Sequence, residues 1–457
     1  MKFTRQQLFK LIFPLLIQQI LAVTIGIADS MMVSSAGEDA VSGVSLVTSL
    51  DVLLITMFSA LASGGAIVTS QFIGKGDLAL ANKSAKQLIY VTTGVATVIT
   101  LTVVIIRVPL LNLLFGDVEA EVMAHALSYF FFLSLSFPFL ALYDSGSAVL
   151  RSMGKSTLTM LVSVGMNLLN VIGNAVFIFG FHMGAAGAAI ATLVSRVVGS
   201  AIMLAVIHNK RNPVHVEHML HFRPDGVLIR RILRVGVPSG LENSMFQFGK
   251  LLTQSLISTM GTASIAANSV AHMLATLQYM PGGAIGLAMV TVVGQCVGAN
   301  DKEGAKKYSR LLIGITYLSI WVMCLLTVFC GKFVIGIYNV SPEASEMAFE
   351  LIMYHSLLAA IIWPVAFTLP GALRSASDVS FPLVISAFSM WVFRVGTSYF
   401  FALPSVSVFG LFTLPGFGLG VLGVWIAMTV DWGFRAILFA YRYLCGKWLT
   451  KYKELKA

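Results

Sequence analysis

A carboxylate with amides and a hydroxyl within reach is the first arrangement in this sequence that could do chemistry. Asp29 sits two-thirds along an apolar run, after Gln18 and Gln19, with no basic residue near it in sequence. A later run carries Asn167, Asn170 and Asn174 at i, i+3 and i+7, so three amides share one helical face. Amides facing lipid are costly, so this face points inward, where Thr192 on the next run can join it. Such a group can exchange a proton or hold a hard monovalent cation. It can equally do no more than tie helices together by hydrogen bonds. In the second half Glu242 opens a polar stripe with Asn243, Gln247 and Gln254. Asp431 and Arg394 lie on consecutive runs and are expected to form a structural ion pair. Asp51, Asp144, Arg196, Lys250 and Arg435 complete the charges inside apolar runs. Asp51 falls toward the outer end of its run, and Asp144 lies two turns before Arg151. Each such charge costs about 2.5 kcal/mol or more at mid-membrane unless paired or hydrated.

The elements that must position these residues are membrane helices. Hydrophobic residues make up 57% of the 457 and charged residues only 11%, against roughly 25% charged in a soluble domain. A span needs roughly 20 mostly apolar residues. On that measure the expected spans are 11–35, 44–72, 88–115, 121–149, 158–180, 185–208, 235–260, 264–297, 311–337, 345–373, 380–402 and 417–441. The first run begins after Lys10, is too long for a leader and carries polar residues, so it reads as a span rather than a cleaved signal. Gly154-Lys155-Ser156 resembles the end of a phosphate loop, but Val149 stands where the first glycine belongs and a helix precedes it. The cysteines Cys296, Cys324, Cys330 and Cys445 show no metal or disulfide spacing.

The net charge of +10 is distributed by side, not by face. With a cytoplasmic N-terminus, all of the 30 lysines and arginines except Arg107, Arg196, Lys250, Lys332, Arg394 and Arg435 fall on the inner side. The outer loops carry acids: Glu38-Asp39, Asp117 to Glu121 and Glu343 to Glu350. That asymmetry is the positive-inside pattern, so both termini are expected in the cytoplasm and the basic charge implies no nucleic acid. The expected organisation is an N-terminal six-helix bundle (1–208), a cytoplasmic linker (209–228) and a C-terminal six-helix bundle (229–457). The linker histidines lack paired ligand spacing, and no metal site is expected.

The halves repeat. A shift of 224 residues superposes Pro14 on Pro238, Gly37 on Gly261, Gln71 on Gln295, Asp77 on Asp301 and Lys83 on Lys307. Farther along, VLRS at 149–152 meets ALRS at 372–375, and GAAGAAIA at 184–191 meets GVLGVWIA at 420–427. Parallel repeats of six spans are a transporter plan. A membrane-embedded enzyme would need convergent catalytic groups that His272 and His355 do not supply, so no enzyme is expected.

The V-x-x-Q-x-x-G after spans two and eight, the ALRS stretch after span ten and the N-x-x-x-N-A-V-F-I-F-G run together resemble the multidrug and toxic compound extrusion (MATE) transporters, over nearly the whole chain. The resemblance implies an all-α polytopic protein of 12 transmembrane helices, arranged as a V-shaped pair of bundles in the cell inner membrane. It implies a monomeric antiporter that exports organic cations, drugs or related amphiphilic metabolites in exchange for H+ or Na+, without a cofactor. Asp29 then matches a coupling aspartate, with Asn170 and Thr192 as its polar neighbours and Asn174 beside them. Tyr129 joins Glu242 and Gln247 as candidates for a substrate cleft. Sodium-coupled relatives have acids where this chain has Phe246 and, nearby, Trp363. A lipid-linked oligosaccharide flippase of the same broad superfamily is the alternative. It would be expected to line its cleft with bases, and no base is expected in the Asp29 pocket, which favours cationic substrates.

Overall fold

The computed structural model describes residues 2–452 apart from positions 117, 218, 220, 222, 339 and 409–411. Asp117, the linker residue His218 and the basic residues Lys453 and Lys456 therefore lie outside the described residues. Thirteen long helices carry the fold: α1 Arg5–Ser34, α2 Glu38–Lys75, α3 Leu78–Phe115, α4 Ala120–Leu135, α5 Phe137–Ser152, α6 Ser156–Gly180, α7 Gly184–His208, α8 Gly226–Ser258, α9 Thr262–Gly298, α10 Lys302–Ile337, α11 Pro342–Ser375, α12 Ser380–Ala402 and α13 Gly420–Leu444. Ten are long and apolar enough to cross a membrane, and the pair α4–α5 makes an eleventh span. The remaining helix, α8, has 33 residues and spreads its charges along its length, with Arg230, Arg231, Arg234, Glu242 and Lys250. Its length and its place in the repeat make it the twelfth.

Every expected span is thus a helix, with one difference. The run 121–149 is not continuous but bends by 45° at Ser136. Pro138 sits in the first turn of α5, where its ring and missing N–H cannot continue a preceding helix.

Local signals repeat along with the sequence. Asp77 caps α3 by accepting from Leu80 N at 2.9 Å, and Asp301 caps α10 by accepting from Gly304 N at 2.7 Å. Their backbones agree as well, with ψ 80° in both. Gly37 and Gly261, each just before a long helix, have φ of 106° and 94°, a region that a Cβ disfavours.

Contacts divide the chain into two compact units, Met1–Gly240 with Gly298–Asn300, and Leu241–Val297 with Asp301–Ala457. In the first, α2 packs on α3, α4 and α5, and α1 on α6, around a core that includes Val47, Phe58, Leu111, Phe130 and Phe137. In the second, Leu256, Leu274, Ile352 and Trp425 form one cluster, and Ile320, Trp363 and Trp432 another.

The described residues of the polar segment 209–225 are tied to the first unit. Gln87 Nε2 donates to Arg223 O (2.8 Å), Tyr90 Oη to Met219 O (2.7 Å) and Lys155 Nζ to Asn212 Oδ1 (2.6 Å). Lys83 lies 2.8 Å from Asp225, and its hydrogen bond holds that carboxyl below the usual range. Asp225 also caps α8 through Leu228 N, so helix begins before residue 228. One element carried no expectation: a hairpin pairs Ser405–Val408 with Phe412–Pro415, Val406 opposite Leu414.

Three helices contain a wide π turn, at Ala175–Gly180, Pro364–Thr368 and Met390–Gly396. Such turns re-aim side chains and recur at functional sites. Here they border the two polar sites of the protein.

Candidate functional site

In the first unit, α1 and α6 bring Asp29 to the asparagine face. Asn174, the last residue before the π turn, donates to Asp29 Oδ1 at 2.6 Å. Asn170, oriented to satisfy both neighbours, donates to Asp29 Oδ1 at 2.9 Å and Oδ2 at 3.3 Å and accepts from Thr192 Oγ1 at 3.2 Å. Thr192 Oγ1 also lies 3.0 Å from the Ala188 carbonyl. Both asparagines are buried, 6% and 1% exposed, while Asp29 is half-buried. Asn174 Oδ1 is left without a hydrogen-bond partner. Asn167 turns to Ser163 Oγ instead, at 3.5 Å.

A second polar group sits beside the first. Arg196 on α7 lies 3.6 Å from Asp51 and donates to Ser136 Oγ at 2.7 Å, in the bend between α4 and α5. Arg196 is also close enough to act electrostatically on Asp29, and half-buried Tyr129 feels Asp51, Arg196 and Asp29 together. This corrects the expectation that the Asp29 pocket has no base nearby. Asp51 and Arg196 were visible as separate charges, but sequence gives the depth of a residue in its helix and not which neighbour it faces.

In the second unit Glu242 does not stand as a free acid. Its Oε2 lies 2.7 Å from Arg374 Nη2 and its Oε1 accepts from Ser386 Oγ at 2.7 Å. Arg374 belongs to the ALRS stretch and was counted as a loop base. Gln247 is half-buried on the same helix, five residues on from Glu242. Asp431 is fully buried and accepts from Arg435 Nε at 2.7 Å and from Ser389 Oγ. Arg394 is also there, but at 3.8 Å. The expected pair is therefore a triad whose tighter member is Arg435, one helical turn from Asp431.

Beside this triad, with Arg394 in its wall, lies a cavity of about 190 Å³, lined by neither Glu242 nor Gln247. Tyr279 stacks on Trp363 (ring centroids 5.6 Å apart), Trp363 on Phe367 (5.2 Å), and Phe367 meets Trp432 edge-on (5.6 Å). Gly282 lets the Trp363 ring lie against α9, since a Cβ there would strike it. His355 is fixed between Trp425 and Trp432, with Nδ1 2.8 Å from Gln278 Oε1. Lys250 and Arg394 supply the charge. The signal for this cavity was present in Trp363 and Phe367 four residues apart, and in Phe246 and Lys250 likewise. The same spacing serves lipid-facing rings equally well. No group of three or more metal-ligating side chains occurs among the described residues.

Two units of six spans, each enclosing polar side chains at membrane depth, describe a membrane transporter rather than an enzyme. The chain belongs to the MatE family, whose sequence model matches it twice, over residues 14–176 and 238–400, at the same 224-residue offset as the internal repeat. It is 28% identical to an uncharacterized transporter, YisQ, of Bacillus subtilis, over 97% of this chain and 95% of that one. It is also 28% identical to a probable multidrug resistance protein, NorM, of Thermotoga maritima, over 97% and 93% of the two chains. Among solved structures, an outward-facing multidrug resistance MATE transporter superposes with a TM-score of 0.87 over 98% of this chain and 99% of its own, at 21% identity. A MATE structure in a bent conformation gives 0.84 over 98% and 96%, also at 21%. The twelve-helix, two-bundle fold is thereby established for this multi-pass membrane protein.

Proposed function

We propose that the protein is a secondary active exporter of amphiphilic small molecules, driven by inward H+ or Na+ through Asp29. The observation that carries this is the difference in close partners between half-buried Asp29 and three buried acids. Asp51, Glu242 and Asp431 each have a guanidinium within 4 Å, whereas the close partners of Asp29 are the amides of Asn170 and Asn174. The base that shares its field, Arg196, is committed to Asp51. A carboxylate held only by neutral groups can gain and lose a cation without breaking an ion pair. Both candidate ions can use it, since carboxylate and amide oxygens are hard ligands.

The drug-resistance names of relatives such as NorM support export as the direction of transport. The distribution of basic residues supports cytoplasmic termini, and the family supports placement in the cell membrane. Restriction to organic cations loses its support, because Arg196 stands beside the Asp29 group, and the cleft candidate Glu242 is already paired. The cavity of the second unit is lined by bases, as a flippase would require, but at about 190 Å³ it is too small for a lipid-linked oligosaccharide. In proteoliposomes loaded with a fluorescent amphiphile, pH and Na+ gradients imposed separately identify the coupling ion. Efflux under one of them is expected, and efflux indifferent to both would defeat the reading.

A further inference from the structure

Around the cavity of the second unit, amide acceptors are taken and donors are left over. Gln254 Oε1 accepts from Asn268 Nδ2 at 2.9 Å, and Asn268 Oδ1 accepts from Trp425 Nε1 at 2.9 Å. Behind the wall, Gln278 Oε1 is occupied by His355. Two lining residues, 7% and 3% exposed, carry buried donors with no hydrogen-bond partner, Arg394 Nη1 and Trp432 Nε1. Lys250 adds an ammonium, near enough to Arg394 for their like charges to oppose each other. No aspartate or glutamate lines the cavity. Arg394 Nη1 lies 3.8 Å from Asp431 Oδ2, which likewise has no hydrogen-bond partner, while Asp431 Oδ1 is bonded to Arg435, so two guanidiniums and the Lys250 ammonium outnumber the one carboxylate.

Buried donors without acceptors are costly to leave unmade, and charged ones more so. An anion would satisfy Lys250, Arg394 and Trp432 at once. The remaining wall, with the rings of Phe246, Tyr279, Trp363 and Phe367, suits a flat apolar body. A cavity of about 190 Å³ has room for roughly two fused rings, not for a large polycyclic drug. We propose that this cavity binds the acidic group and planar aromatic body of a small organic anion, with Lys250 and Arg394 as its charge partners and Trp432 as a neutral donor. The site lies wholly within the second unit, so it does not rest on the coupling role of Asp29.

Calorimetric titration of the purified full-length protein, with no ion gradient, tests it with three isosteric probes: naphthoate, its neutral amide and naphthylmethylammonium. Naphthoate should bind about tenfold or more tightly than either of the others. One charge-assisted hydrogen bond is worth about that factor. Lys250→Gln should erase most of this preference while leaving the amide unaffected. Trp432→Phe, which keeps the ring and removes the N–H, should weaken naphthoate by several-fold. Arg394 is left intact because its loss also disturbs Asp431. Preference for the ammonium probe, equal binding of all three, no binding of any, or unchanged naphthoate affinity in Lys250→Gln would overturn the proposal. Because no gradient is applied, failure here is distinct from failure of gradient-driven export.

Discussion

Replacing Asp431 by asparagine takes the carboxylate out of a cluster that also holds two guanidiniums. Asp431 is 0% exposed, Arg435 3% and Arg394 7%, so water cannot substitute for the lost charge. Removing one partner of a buried ion pair costs about 3–5 kcal/mol, because the other is left uncompensated. Arg394→Gln is a smaller perturbation. Its nearest nitrogen is 3.8 Å from Asp431 Oδ2, beyond hydrogen-bond range, and Asp431 keeps Arg435 at 2.7 Å. What is lost is a longer-range attraction and the contact of Arg394 with the Phe246 ring at 5.2 Å, together about 1–2 kcal/mol. Folded yield and thermal midpoint, followed by gel filtration of a fluorescently tagged protein, should therefore fall sharply for Asp431→Asn and modestly for Arg394→Gln. Adding Arg435→Gln to Asp431→Asn should recover part of the loss. If Arg394→Gln proves as damaging as Asp431→Asn, Arg394 is the true counter-charge and the reasoning fails.

The ion pair of Glu242 with Arg374 predicts that Glu242→Gln lowers stability by about 2 kcal/mol, less than a fully buried pair because the Arg374 side chain is 24% exposed. A Glu242→Gln, Arg374→Gln double variant should regain part of that, with transport of a fluorescent amphiphile unchanged in both. Loss of that transport at normal folded yield would return Glu242 to the substrate path. For topology, single cysteines at Glu38, Glu119 and Glu343 in a cysteine-free background should react with an impermeant maleimide added outside intact cells, and one at His215 should not. The reverse pattern would place the termini outside.

Much of the fold was legible because lipid imposes simple rules. Apolar runs gave every span, and repeated punctuation such as Gly37 with Gly261 and Asp77 with Asp301 marked helix boundaries in both halves. The bend at Ser136 was missed, although Pro138 announced it. The π turns left no local mark, because a one-residue register change depends on tertiary packing rather than composition. At the sites, i, i+3, i+7 spacing correctly put Asn170 and Asn174 on one face, and the structure brings Asp29 to them. Azimuth between helices was the missing quantity. Arg374 looked like a loop base, Arg196 an isolated charge and Arg394 the sole partner of Asp431, and in each case the neighbouring helix decided otherwise.

The most direct test of the account is Asp29→Asn, reconstituted beside the native protein. The substitution keeps the shape of the side chain and removes its capacity to carry a charge, while Asn170 and Asn174 remain to hydrogen-bond it and Thr192 holds Asn170. Folded yield and equilibrium binding of a fluorescent amphiphile should stay near native. Efflux driven by an imposed pH or Na+ gradient should fall to the level of protein-free liposomes. Gradient-driven efflux by Asp29→Asn at the native rate would contradict the account and place coupling elsewhere in the protein.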